Sequence, residues 1–393
     1  MKKWNELYLD FPFSLPMLLD GATGTAMIRA GMPSGVCPER WILSHPDAIL
    51  HTQSAYRACG SDAVLTPTFG ANRAVLRRYG LEAETEEMNR ALAALSREAV
   101  GENGLIGGDL SPSGKFLAPV GTATFDELID DYRDQVRALA PLVDFFVVET
   151  FMDLAAARAA VLAVKEASDK PIFVTLTVTP SGKTMSGDDP AAALLTLSAL
   201  GISAFGLNCS TGPSEMLSFL APLVPLSRAL RIPLIAKPNA GPPDANGTRV
   251  PLSPEQFGKI GAAMLQAGIA VLGGCCGTDE THVRALREAI DAFDAPSDPA
   301  MIPSVARLAC TGRVIAEIPT DLPDPIDVGD DFADDASDMA DNLGFAFVRL
   351  RDANDARTVL DAAPYCPFPL AVRGDEDAIA LLRREYCGKI VSA

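Results

Sequence analysis

With 393 residues, 48% of them hydrophobic, the chain can build one large core and a small second domain. Its formal net charge of −18 argues against nucleic acid or an anionic membrane surface as partner, and no apolar run approaches the ~20 residues of a membrane span. After Met1-Lys2-Lys3, the polar Asn5, Glu6 and Asp10 interrupt any signal-peptide core. With only 8 Cys in so long a chain, a disulfide framework is not expected and the cytoplasm is the natural setting; with 3 His, any metal site must rely on sulfur.

In chain order, eight short apolar runs predict strands: Met17–Gly21, Ala63–Phe69, Leu105–Leu110, Phe145–Phe151, Pro171–Val178, Ala204–Ser210, Pro233–Asn239 and Ile269–Cys276. Each is followed by an amphipathic stretch, the alternation of a TIM (β/α)₈ barrel, with a doubly wound open sheet as the competing architecture. Phe145-Phe146-Val147-Val148 is apolar without alternation, as suits a parallel strand buried on both faces. Thr124-Phe125-Asp126-Glu127 reads as a capping box, Ser253-Pro254-Glu255-Gln256 adds proline at the first helical position, and Asp153 caps the alanine-rich segment after it. The barrel is expected over residues 1–295, and Ala295-Pro296-Ser297-Asp298-Pro299 reads as the linker. Residues 296–393 then suggest a small α/β domain of unknown role: strand-like Phe345–Leu350 and Phe368–Val372, helix-like Asn354–Ala362 and Glu376–Tyr386.

Polar residues gather at the C-terminal ends of the predicted strands: Asp20, Thr66, Thr68, Asp109, Glu149, Thr177, Asn208, Cys209, Asn239, Cys275 and Cys276. Any one of them is explained as a loop start or a helix cap. In a barrel all these ends converge on one face, where active sites of this fold lie.

Sulfur gives that face its chemistry. Gly273-Gly274-Cys275-Cys276-Gly277-Thr278 places two thiols side by side after a strand, and Cys209 ends another. Adjacent cysteines bridge each other poorly, but two thiolates and a third from a neighbouring strand end suit a tetrahedral zinc with one open position. Such an electron-rich metal is a weak Lewis acid. It is suited to holding an exogenous thiol deprotonated for attack on an electrophilic methyl group. Asp20 and Glu149 could pair with an α-ammonium group, and the backbone amides of Gly21-Ala22-Thr23-Gly24-Thr25 could receive a carboxylate. A carboxylate after Phe-Phe-Val-Val would otherwise be buried without a partner. The remaining cysteines, Cys37, Cys59, Cys310, Cys366 and Cys387, read as packing or surface residues, and Trp4 and Trp41 as structural.

These segments, with Thr66-Pro67-Thr68-Phe69-Gly70-Ala71-Asn72-Arg73, Glu149-Thr150-Phe151, Gly206–Pro213 and Pro238-Asn239-Ala240-Gly241, resemble the homocysteine S-methyltransferases in order over nearly all of the first ~295 residues. Within them the likeness is closest to the homocysteine-binding module of cobalamin-dependent methionine synthase. The resemblance implies a TIM barrel whose Cys209, Cys275 and Cys276 bind zinc and which converts homocysteine to methionine. It implies that Asp20 and Glu149 contact the homocysteine amino group, that Asn239 fills the open zinc position before substrate arrives, and that Thr66 lines the pocket. Pro67 stands where the family commonly carries another residue, which bears on selectivity among small thiols.

No Asp-x-His-x-x-Gly corrinoid-ligand motif occurs, so methylcobalamin would come on a separate corrinoid protein. S-methylmethionine, another sulfonium or betaine is the alternative donor, and another small thiol the alternative acceptor. The segment from Cys366 to Lys389 faintly resembles an early part of a pterin-binding barrel but is too short to be one. Outside this chemistry stand two rivals. A phosphate-binding barrel would use Gly273-Gly274 and need no zinc; a scaffold that had lost activity would have no need of the two carboxylates.

Overall fold

The computed structural model of the chain describes residues 2–118, 120–241, 252–294, 304–364 and 368–393. Eight strands form one parallel sheet: β1 Met17–Leu18, β2 Ala63–Leu65, β3 Leu105–Leu110, β4 Phe145–Phe151, β5 Ile172–Leu176, β6 Ala204–Asn208, β7 Leu234–Lys237 and β8 Val271–Leu272. Their order is β1-β8-β7-β6-β5-β4-β3-β2, so the first strand pairs with the last and the sheet curls into a nearly closed TIM barrel rather than a doubly wound sheet.

Between β1 and β2 the connection is made by carboxylates. Leu18 N–H donates to Asp62 Oδ2 at 2.7 Å, and Leu65 N–H donates to Asp20 Oδ2 at 2.8 Å. At the opposite end of the barrel Phe11, Phe13, Phe145 and Phe173 pack ring against ring, with Phe145 and Phe173 centroids 4.6 Å apart. That plug fills the end of the barrel where β4 and β5 begin.

All eight expected strands are present, several shorter than the apolar runs that announced them. Gly273–Cys276 and Asp20-Gly21 leave the ladder because their backbone is engaged across it, with Gly274 N–H donating to Asp20 O at 2.9 Å. The capping boxes at Thr124 and Ser253 and the Asp153 cap form as expected. Two helices, Pro38–Ser44 and Pro46–Ala58, follow β1 and lie beside the cavity mouth and β2, with His45 at their junction. Trp41 stacks on His45, and Trp4 packs edge-on against Phe293, both structural roles.

The expected linker at 295–299 falls outside the described residues, as does Cys366. From Leu308 the chain builds a four-stranded parallel sheet of β11 Ile326–Asp327, β12 Ala346–Leu350, β13 Leu370–Gly374 and β15 Val391–Ser392. A three-stranded antiparallel sheet of β9 Leu308–Thr311, β10 Ile315–Glu317 and β14 Gly388–Lys389 accompanies it. The helix Phe332–Leu343 buries Phe332, Ala336 and Ala340 and turns its aspartates outward.

This unit is seated on the barrel. Arg158, 1% exposed, lies on the helix Leu154–Ala167 after β4. It donates to the carbonyls of Arg383, Arg384 and Glu385 at 3.0–3.2 Å, capping the end of the helix Glu376–Glu385. Cys310 is buried against Ala192 and Leu195, and Asp189 N–H donates to Gly312 O at 2.7 Å beside the loop after β5. Among the described residues no helix is long and apolar enough to cross a membrane.

Candidate active site

The loops after the barrel strands enclose a cavity of about 260 Å³. That is just below the ~300–1,000 Å³ of sites for drug-sized ligands, which suits a small molecule. On its wall stand Asp20, Gly21, Thr66, Pro67, Asp109, Glu149, Lys237 and the three cysteines 209, 275 and 276.

The thiols meet. Ligand atoms of Cys209, Cys275 and Cys276 all lie within 4.8 Å of one another, with Cys209 Sγ and Cys276 Sγ 3.9 Å apart. Tetrahedral coordination at the usual Zn–S length of ~2.3 Å separates sulfurs by ~3.8 Å, so the donor set and its spacing fit zinc. Hydrogen bonding to the other two thiols, then burial, pushes Cys275 well above the ordinary thiol range. Three packed thiols do not ionise together without a cation, a charge that a bound divalent metal would supply. Among the described residues this is the only group of three or more His, Cys, Asp or Glu side chains with metal-holding spacing. Cys37, Cys59 and Cys310 are buried packing residues, and Cys387 packs at the edge of the barrel core.

The backbone that presents these thiols is strained and tied down. Thr150, Cys209 and Ser210 have φ of 67°, 60° and 49°, a left-handed conformation rare for side chains other than glycine. Asn208 holds this corner. Its Oδ1 accepts Thr150 N–H at 2.9 Å, and its Nδ2 donates to Thr150 Oγ1 at 2.7 Å and approaches Cys275 Sγ at 4.0 Å. In the cysteine loop, Cys275 N–H donates to Pro238 O at 2.8 Å and Thr278 Oγ1 to Cys275 O at 2.7 Å. A Cβ on Gly274 would stand 2.4 Å from Thr278 Oγ1, so only glycine lets the loop fold this tightly.

Around the sulfur lies a buried charge cluster. Lys237 Nζ donates to Glu149 Oε2 at 2.5 Å, with both side chains nearly inaccessible. Burial alone would lower the Lys237 pKa, but Glu149 and then Asp20 raise it, so the ammonium is held charged. Burial pushes Asp20 up to about 7, partly offset by Lys237 and the Leu65 amide. Burial and the nearby Glu149 push Asp109 well above the carboxylate range. Asp20 Oδ1 and Asp109 Oδ1 are buried and have no hydrogen-bond partner among the described residues.

The other expected residues are placed as follows. Thr66 is on the wall, its hydroxyl accepting Asp109 N–H at 3.1 Å and paired with Thr68 Oγ1 at 2.7 Å, so it shapes the wall. Gly21 packs against Tyr56, where a Cβ would come within 2.9 Å of the ring, and the neighbouring Ala22 N–H is already donated to Thr278 Oγ1. Asn239 is buried, and neither atom of its carboxamide head has a hydrogen-bond partner among the described residues. Lys237 was not singled out from the sequence, although one cation ending the apolar run Leu234-Ile235-Ala236 was a signal that a buried anion awaited it.

The profile of the homocysteine S-methyltransferase family matches residues 17–290. The chain belongs to that family. It is similar to the methionine synthases of Mycobacterium tuberculosis and Mycobacterium leprae, 32% identical to each over 311 and 295 residues, or 73% and 70% of this chain. Those matches cover 26% and 24% of the two enzymes, so the chain spans about a quarter of the length of these curated relatives. The homocysteine methyltransferase MmuM from Escherichia coli superposes with TM-scores of 0.57 in its apo form and 0.60 in its metallated form. Identity is 21% in both cases, covering 73% and 72% of this chain and 99% of that one. At this identity the likeness shows the shared barrel fold.

Proposed function

We propose that this protein is a homocysteine S-methyltransferase whose substrate thiol is activated at zinc held by Cys209, Cys275 and Cys276. The observation that carries the reading is the meeting of the three sulfurs on the wall of a small cavity that also carries buried carboxylates. When bound, zinc would keep the homocysteine thiol ionised at neutral pH, where a free thiol with a pKa of about 8.5 is mostly protonated. Asn239, with its unpartnered carboxamide, is our candidate for the fourth ligand until substrate arrives. The carboxylates beside Lys237, Asp20 and Glu149 among them, form the side of the cavity that receives the amino group. The backbone of Gly21 and the first turn of the helix Thr23–Arg29 face the α-carboxylate. Pro67 stiffens the wall beside Thr66 and narrows the choice of thiol.

For the methyl donor we infer methylcobalamin carried by a separate corrinoid protein. The 32% identity to methionine synthases supports it. S-methylmethionine, another sulfonium or betaine is the second reading. Turnover of homocysteine by the purified protein with methylcobalamin, S-methylmethionine, S-adenosylmethionine and betaine in turn separates the donors. Cys275→Ala should lose both bound zinc, by elemental analysis, and at least about 100-fold in rate. Full turnover by protein verified to be metal-free would refute the proposal.

A further inference from the structure

The C-terminal unit touches a loop of the active face as well as the flank of the barrel. Its turn between β9 and β10, Gly312-Arg313-Val314, lies against the loop after β5. Arg313 Nη2 donates to Ser186 O at 2.9 Å, and Gly312 O accepts Asp189 N–H at 2.7 Å. A Cβ on Gly312 would stand 2.4 Å from Asp188 Oδ1. Asp188 cannot easily give way, because it is 7% exposed and its Oδ2 accepts Leu154 N–H at 3.0 Å and the Thr184 hydroxyl at 2.8 Å. Glycine is therefore what lets the turn settle onto the loop.

The loop in turn holds the chain that leaves β4. Besides the Asp188 bond to Leu154, Ser186 donates its N–H to Met152 O at 3.3 Å and its hydroxyl to Asp153 Oδ2 at 2.7 Å. Just before Met152 come Glu149 and Thr150, both on the cavity wall. The β4–β5 ladder pairs Val148 with Val174 and resumes at Phe151 with Leu176, so Glu149 and Thr150 form a bulge outside its register. Thr150 sits there at φ 67°, a conformation that persists in a non-glycine residue only where the surroundings over-determine it. Asn208 provides one hold, on Thr150 itself. The braced run from Met152 to Leu154 provides another.

We infer that Arg313, with Gly312 and the buried Asp188, positions the cavity wall at Glu149, so that the C-terminal unit completes the active site from outside. Arg313 is not on the wall and acts through Ser186 and Met152. The consequence for substrate rests on the reading of the cavity as the homocysteine site. Release of the turn lets the strained bulge relax, and the wall that homocysteine meets moves with it. The three sulfurs are carried by other loops and stay in place.

The test uses the zinc-loaded full chain and the variants Arg313→Met, Arg313→Lys and Gly312→Ala. Amide exchange in the peptide spanning 149–154 needs no substrate. It should quicken by about tenfold in Arg313→Met and Gly312→Ala, while Arg313→Lys, which keeps a donor, recovers most of the protection. Calorimetric binding of homocysteine should weaken by about threefold or more in the same two variants, the scale of one hydrogen bond, with bound zinc unchanged. Val372→Ala, in the core of the C-terminal unit and away from the turn, controls for general loosening. Equal quickening at 149–154 in Val372→Ala would overturn the inference. So would wild-type exchange in Arg313→Met, or faster exchange with homocysteine bound as tightly as before. If wild-type protein does not bind homocysteine at all while exchange responds as described, the reading of the cavity fails and the brace on the bulge stands.

Discussion

Asp20 shows how one residue couples stability to the site. Its carboxyl is raised from 3.8 to about 7 by burial, so between those values the folded chain holds a proton that the unfolded chain has released. The folded state then binds more protons, and stability falls as pH rises through this window, with the full cost present above about pH 7. Asp20→Asn keeps an oxygen for Leu65 N–H but cannot titrate. Urea denaturation of the metal-free proteins should show the variant gaining on wild type from pH 4 to pH 8, by up to about 4 kcal/mol on the linkage relation. Parallel pH profiles would show that Asp20 is not the buried acid described. The cysteines were legible in the sequence because adjacent thiols among glycines have little use in a core. Lys237 was not, because its meaning depends on Glu149, 88 positions away, and strand periodicity says nothing of which strand ends face each other.

At the scale of elements, the turn after β4 and the turn after β6 support each other through Asn208. Thr150 sits at φ 67° while its N–H and hydroxyl are both taken by one carboxamide. Asn208→Ala removes that clamp and strands a backbone N–H, and should cost about 1–3 kcal/mol in chemical denaturation while loosening the cysteine it touches. Unchanged stability together with unchanged zinc affinity would show the clamp to be idle. Strand identity was readable from continuous apolar runs, and helix starts from Thr124, Asp153 and Ser253, since both are local signals. Strand length was not. β1 and β8 stop after two residues because tertiary bonds, such as Gly274 N–H to Asp20 O, take over the backbone. The two-residue β11, β14 and β15 carry no periodicity at all, and only their neighbours make them strands.

At the scale of the whole molecule, the C-terminal unit has its own apolar cluster yet is bolted to the barrel through Arg158 and Cys310. We propose a division near residue 295 in which neither part is indifferent to the other. Ending the chain at residue 294 would leave the Arg158 guanidinium without its three carbonyls. The truncated protein should retain its zinc site but lose at least about 4 °C in thermal midpoint, and Arg158→Met in the full chain should show a loss in the same direction. Wild-type thermal stability in both would mean that the contact is superficial.

The barrel wall is sewn by backbone ladders except where β1 meets β2, and there the side-chain fastenings are two carboxylates, Asp62 and Asp20, the second of which also lines the cavity. Lateral parting of the staves therefore starts at that seam. Amide exchange at Leu18 and Leu65 ahead of Val147 would record it. A guest that grips Asp20 from inside tightens the closure from which the rest of the cylinder takes its shape, so filling the vessel also hoops it.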